Sequence, residues 1–382
     1  MRILWFGTYS RGGGYPRSEV LIDALRSVGE EVVECHVPLF RDAREKIAAA
    51  STKRGFLRFG LRAGLAWARL AARFFRAGPR DVVVVGYTGH VDLYLARALS
   101  VVWRRPIALD AFLSPWDTVV HDRRLLAPAS RAARALWRLE RGALRLSDLV
   151  LTDTRAHADY MAETFGVAAE KFLPVPVGSL VRVPVAAGMV GGGGGPPAPP
   201  TFTAFFCGTF VPLQGLPYIL DAAELAPEIT FEILGDGPDG DLIEEEVELR
   251  GMANVRLDRR FVPREVLEER LALADCVLGV FGTGPKTGRV IPCKVYDGLA
   301  AGLPVVTGDG EAPREMLHDG ENALLVDRSD PAHLVAALRR LRDEPGLAER
   351  LRAGAARCAR ERFSAPAIGL RLRAAFAELS GR

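Results

Sequence analysis

Cations gather in this chain where glycine and proline open the backbone. Lys286, Arg289 and Lys294 fall within one stretch, GTGPKTGRVIPCKVYDG (residues 282–298), although the chain has only five lysines against 45 arginines. The stretch follows the apolar run Cys276–Phe281 and leads into LAAGLPVVT (299–307). It reads as a buried strand, a basic glycine-rich loop, a short helix with Pro292 at its first position and Gly302 as its stop, and a second buried strand. Backbone N–H groups at a helix start, beside a strand's carboxyl end and among cations, suit a phosphorylated ligand. Lys286, Arg289, Lys294 and those amides could hold two phosphates. Asp297, one turn deeper, could accept hydrogen bonds from a ribose diol. The competing reading is an exposed Lys294–Asp297 ion pair, worth little, beside a solvated loop.

Further candidates lie where other strands end. Gly12, Gly13 and Gly14 follow the first apolar run and would let backbone amides approach a phosphate, or form a plain tight turn. They do not make a GxGxxG fingerprint, which disfavours an ordinary dinucleotide site. His90 follows DVVVVG (81–86), at the strand end where open α/β sheets bind ligands, and could equally be structural. Asp110 closes IALD and could orient an acceptor hydroxyl or cap a turn. The segment FLSPWDTVVHDRR (112–124) brings Trp116, Asp117 and Arg123 into a loop that suits an acceptor or an exposed turn. Phe261 and Val262, after Arg260, form a candidate nucleobase-side loop. None of these marks a choice between uridine and guanosine.

Two strand–helix series must position these residues. The first alternates short apolar runs with helical segments as far as Leu149–Thr152. GGGGGPPAPP then interrupts it with linker chemistry. The alternation restarts at Thr203–Cys207. This predicts an α/β chain of two Rossmann-like domains facing a cleft: 1–185, a linker at 186–200, 201–363, and a last helix, 364–382, crossing back to the first domain. A length of 382 residues suits two such cores. The net charge of +3 is too small to make nucleic acid the main partner. The five cysteines lack zinc or redox spacing, and Cys207 and Cys276 sit in apolar runs, so buried reduced thiols and a cytoplasmic location are expected. The start, MRILWFGTYS, has too short an apolar run for a signal peptide, and no run approaches eighteen apolar residues.

Residues 53–76 are distinctive in another way. Arginines at 54, 58, 62, 69, 73 and 76 share one broad helical face, while Phe56, Phe59, Trp67, Leu70, Phe74 and Phe75 contribute to the rest. Such a helix suits an anionic membrane surface, or is a domain helix with a solvated basic face.

The stretch around Lys294 resembles the C-terminal domain of GT-B glycosyltransferases, most closely a branch of glycosyltransferase family 4. The resemblance rests on Pro292, Lys294, Asp297 and LAAGLPVV (299–306), and extends to FCGTFVPLQGLPYILDAAE (206–224), FEILGDGP (231–238), NVRLDRRFVPREVL (254–267), DGENALLVDRSDPAHLVAAL (319–338) and SDLVLTDTRAHADYMAETFGV (147–167). It implies a GT-B fold and a metal-independent hexosyltransferase that retains anomeric configuration. It also implies a nucleotide-sugar donor as substrate rather than cofactor, with no cofactor or metal expected. On the membrane reading of residues 53–76, the acceptor hydroxyl would be polyprenyl- or otherwise lipid-linked, and the protein peripheral to the inner face of the membrane. It places the loop of Gly13 and Gly14 on the donor's diphosphate, keeps Lys294 and Asp297 in the donor-site motif with Asp297 on the ribose, and puts Gly208 and Thr209 in the first loop of the second domain. It puts His90 near the donor sugar. Arg289 stands where most relatives carry a glutamate, and Thr209 and Gln214 where many carry an arginine and a lysine. Charge relocated to another loop is one reading of this. The alternative is a non-catalytic GT-B subunit that binds a membrane or a partner enzyme.

Overall fold

Short runs of valine, isoleucine, leucine and phenylalanine with no polar alternation can only be satisfied inside a parallel sheet covered on both faces. The computed structural model shows two such sheets. It describes residues 1–9, 16–39, 53–181 and 202–381, with the backbone alone for 53–61. Gly12, Gly13 and Gly14 lie outside the described residues. The chain divides into two units, Met1–Gly178 with Ser364–Arg382, and Ser179–Phe363. The division falls after residue 178, and Ser179, at the start of the second unit, bonds to another residue of that unit.

The first unit carries β1 (Arg2–Gly7), β2 (Glu31–His36), β3 (Val82–Val85), β4 (Ile107–Asp110), β5 (Leu149–Thr152) and β6 (Phe172–Pro174), all parallel, in the order β2-β1-β3-β4-β5-β6. Helices Asp92–Ser100, Arg131–Leu146 and Arg155–Phe165 bury Leu93, Ala96, Ala143, Leu144, Met161 and Phe165 in its core. Helix Ala365–Leu379 packs on helix Arg17–Ser27, so the chain's last segment belongs to this unit. The two meet nearly backbone to backbone: a Cβ on Gly369 would stand 2.1 Å from the Ala24 carbonyl oxygen.

The second unit carries β7 (Thr203–Cys207), β8 (Thr230–Leu234), β9 (Val255–Asp258), β10 (Cys276–Leu278), β11 (Val305–Gly308) and β12 (Leu324–Val326), again parallel, in the order β12-β11-β10-β7-β8-β9. The strand order reverses between β10 and β7. At such a reversal the loops leaving neighbouring strands diverge and open a crevice at their carboxyl ends. The basic stretch leaves β10 at this point. It first makes a 3-10 turn, Pro285–Arg289, then the helix Cys293–Ala300. Pro292 is extended (φ −72°, ψ 155°), so it caps the helix rather than occupying its first position. The helix lies close on the sheet because residue 298 is glycine: a Cβ there would stand 3.0 Å from Val277 of β10.

Candidate functional site

Lys294 enters the first turn of its helix pointing inward and is only 4% exposed. Its Nζ donates to Gln214 Oε1 at 2.6 Å and lies 3.3 Å from the centroid of the Phe206 ring. Gly208, after β7, is the near wall: a Cβ there would be 3.4 Å from Nζ. Gln214 offers an amide oxygen and Phe206 a ring face, so neither partner is an anion. Burial therefore lowers the Lys294 pKa to about 7, against a smaller opposing pull from Cys207 and Cys293. The exposed Lys294–Asp297 ion pair does not form.

Asp297 faces another way. Ser179 Oγ donates to its Oδ1 at 2.6 Å. Burial raises the carboxyl to about 6, while the Ser179 hydrogen bond and the Arg264 charge pull it down. Arg264 opens the helix Arg264–Leu273, directly after the Phe261–Val262 loop. The candidate ribose ligand and the candidate base-side loop thus come near one another. Phe261 is 68% exposed at the carboxyl end of β9, offering a bare ring face.

The loops after β7 and β10 are built into each other. Phe281 N donates to the Gln214 carbonyl at 3.0 Å, and the turn Pro212–Gln214 packs on Pro285–Arg289. The element carrying Lys286 and Arg289 therefore stands against the residue that holds Lys294. Lys286 is buried and Arg289 half-buried. Thr209 follows Gly208 in the β7 loop, half-buried. Gln214 is a site residue that the sequence marked only as a departure from a family pattern; its bond to Lys294 needed the fold.

In the first unit the candidates are held inward, which corrects several expectations. Asp110 is fully buried and its Oδ1 takes Arg17 Nε at 3.1 Å. Arg17 also donates to the carbonyls of Thr152, Val175 and Pro176. Oδ1 of this carboxylate is thus taken up by a buried ion pair, while Oδ2 is buried without a hydrogen-bond partner. Asp117 is buried and accepts from Tyr160 Oη at 3.0 Å. The Trp116 amide donates to Glu140 Oε2 at 2.8 Å, and its ring packs on Phe165 and His121. Of the three expected acceptor-side residues, Arg123 alone is exposed. His90 does stand after β3, but it is buried 4.0 Å from Glu140 Oε1. Burial lowers its pKa to about 4, so the ring is neutral near pH 7. Trp67 is corrected too: its Nε1 donates to Asp92 Oδ1 at 2.8 Å, and Leu70 and Phe74 are buried beside it, so these rings face the core. The side chains of Phe56 and Phe59 lie outside the described residues. Among the described residues no helix is long and apolar enough to cross a membrane. All five cysteines are free, and burial pushes the Cys35 and Cys207 thiols up to about 12.

Known proteins share this fold. The family "Glycosyl transferases group 1" matches residues 201–344. Over 168 residues the chain is 30% identical to the lipopolysaccharide core biosynthesis glycosyltransferase LpsD of Rhizobium meliloti, covering 44% of this chain and 47% of that one. It is 28% identical over 274 residues to the D-inositol 3-phosphate glycosyltransferase of Thermomonospora curvata, covering 63% and 62%. The chain thus spans about half to three-fifths of the length of these curated relatives. Sucrose-phosphate synthase of Thermosynechococcus elongatus superposes with a TM-score of 0.72 at 15% identity, over 100% of this chain and 99% of that one. Anabaena HepE, solved in complex with UDP, superposes with a TM-score of 0.68 at 16% identity, over 99% and 100%. The architecture is GT-B, and the unit that holds Lys294 is similar over residues 201–344 to the glycosyl transferases, group 1.

Proposed function

We propose that the protein is a glycosyltransferase that moves a sugar from a nucleotide-diphosphate sugar to a hydroxyl acceptor. The observation that carries this is the buried ammonium of Lys294, at a helix start and a strand-order reversal, with no anionic partner bonded to it among the described residues. A buried cation with neutral neighbours is costly until an anion arrives. A diphosphate supplies that anion, and the helix amides supply further donors. Lys286 and Arg289 hold its distal phosphate, Asp297 the ribose, and Phe261 with Val262 the base. As the sugar leaves, charge grows on that phosphate, so cations already in place lower the barrier without a metal. The departing phosphate takes the acceptor proton on the same face, and the anomeric configuration is retained. The names of the LpsD and D-inositol 3-phosphate relatives support a hydroxyl acceptor.

The acceptor is membrane-adjacent in this reading. Helix Lys53–Ala77 buries Ala66, Leu70 and Phe74 and exposes Arg62, Arg69, Arg73 and Arg76. Leu65 and Phe75 are exposed with them, and Phe75 meets Trp103 at 5.8 Å beside exposed Val101 and Val102. Bare apolar residues among arginines suit an anionic lipid surface, each cation adding on the order of 1 kcal/mol. Sedimentation with phosphatidylglycerol vesicles tests this; recovery in the supernatant at low salt removes the membrane from the proposal.

The donor reading is tested by calorimetry with UDP and GDP and by transfer assays on Lys294→Ala and Arg289→Ala. Each substitution is expected to cut transfer at least ~10-fold, the loss of one charge-stabilising donor. Normal turnover in both rejects the site. A parent protein that binds neither nucleotide at millimolar concentration favours the non-catalytic subunit, to which Arg289 at the family's glutamate position points.

A further inference from the structure

Beside the turn that carries Lys286 and Arg289, the second unit leaves an open cleft of about 530 Å3 that the donor reading has not yet used. It lies at the carboxyl ends of β11 and β12, and its walls include Asp309, Glu311, Arg314, Asp327, Arg328 and Ser329. No aliphatic or aromatic side chain is among the described residues that line it. Its volume is that of a small-molecule site, but such sites are mostly apolar.

Arg328 sets its chemistry. A Cβ on Gly308 would come 2.3 Å from Arg328 Cγ, and one on Gly288 would stand 3.1 Å from its Nη1. Gly310 backs onto the same spot, where a Cβ would be 2.9 Å from the Gly288 Cα. Three glycines from two segments thus leave room for the Arg328 side chain. Nη1 of that guanidinium is buried and has no hydrogen-bond partner. The hydroxyl of Thr287, next to Gly288 and 1% exposed, has none either. Buried groups of this kind are rare and cost about 1–3 kcal/mol each until satisfied. Arg314, by contrast, is held by Asp309, with Nε–Oδ1 at 2.7 Å and a second, parallel contact. The cleft therefore sets half-buried Arg328, whose unpartnered Nη1 is covered beside Gly288, together with the exposed carboxylate acceptors Glu311 and Asp327. With Asp309 matched by Arg314, the cleft keeps two carboxylates against one guanidinium, a poor match for a free phosphate. Sugar hydroxyls donate and accept, and match both kinds of group.

We propose that this cleft is the subsite for the transferred sugar, with Arg328 donating to one sugar hydroxyl and Glu311 accepting from another. It rests on the donor reading: Gly288 belongs to the turn proposed to hold the distal phosphate, from which the sugar hangs. Arg328 takes the place of a recognition group for that sugar on a chain whose family glutamate is replaced by Arg289.

The experiment compares UDP with UDP-glucose, and GDP with GDP-mannose, by calorimetry on the parent protein and on Arg328→Met and Glu311→Gln, with melting temperature as a folding check. Arg328→Met is expected to weaken the bound sugar nucleotide about tenfold and leave its nucleoside diphosphate within about twofold, the loss of one hydrogen bond to a charged group. Exposed Glu311→Gln keeps the question open to refutation if the first variant misfolds, and is expected to act in the same direction by a few fold. Equal losses for nucleotide and sugar nucleotide, or no loss in either variant, overturn the sugar subsite alone. A parent protein that binds none of the four ligands overturns the donor site and the subsite together.

Discussion

Replacing Lys294 by methionine separates what the site needs from what the fold needs. The ammonium is 4% exposed and bonded to an amide oxygen and a ring face. Its pKa drops from 10.5 to about 7 on folding. At 1.36 kcal/mol per unit, a fall of that size corresponds to at most ~5 kcal/mol disfavouring the charged folded form. The sign follows from proton binding. Between about pH 7 and 10.5 the unfolded chain holds this proton and the folded chain does not, so stability rises with pH across that window. Below about pH 7 the folded chain carries the full penalty. Methionine fills similar volume without charge and leaves only Gln214 Oε1 to be satisfied. At pH 6, Lys294→Met is therefore expected to be more stable than the parent by about 1–4 kcal/mol after that loss. Urea denaturation followed by tryptophan fluorescence measures it. The same variant should lose nucleotide binding in calorimetry. A variant that is less stable at pH 6, or one that keeps nucleotide affinity, refutes the argument that this cation is held at a cost for an anionic ligand.

The remaining expectations are independent of that one. A nucleotide sugar has no phosphate that titrates near neutrality, so its affinity should be greatest between about pH 6 and 7, weaken below about 6 as the Asp297 carboxylate takes up a proton, and fall up to tenfold per unit above about 7, as Lys294 must regain its proton to bind; affinity that keeps rising above pH 7 speaks against Lys294 as a ligand. Arg17→Met leaves Asp110 buried without its partner and should destabilise the first unit by about 3–5 kcal/mol, with Asp110→Asn restoring part of the loss in a double-mutant cycle. Gly235 has φ +136° and a Cβ there would lie 1.9 Å from the Gly208 carbonyl oxygen, so Gly235→Ala should cost more than about 3 kcal/mol, read as a lower melting temperature, and displace the loop that walls Lys294.

Local patterning carried much of the architecture. DVVVVG, TFEIL and CVLGVF announced strands buried on both faces, since a half-buried strand would alternate. GGGGGPPAPP announced a join between two series because it has nothing to bury. Strands of three residues, such as Phe172–Pro174 and Leu324–Val326, went unread: so short a run has no period, and its state is decided by the neighbouring strand. The phosphate-site hypothesis was also legible, because a cation, a proline and a glycine stop at helix spacing are local facts.

Partnership was not legible. Asp110 and Trp116 looked like ligands because their residue types can be, and the fold gave them Arg17 and Glu140 from distant stretches. Spacing left open an ion pair between Lys294 and Asp297, three residues on, and the fold turned one toward Gln214 and the other toward Ser179. Spacing along one chain fixes which side chains share a face. Only packing decides which are taken from water and what they meet there, and both the lowered pKa of Lys294 and the unpartnered nitrogen of Arg328 arise from that step.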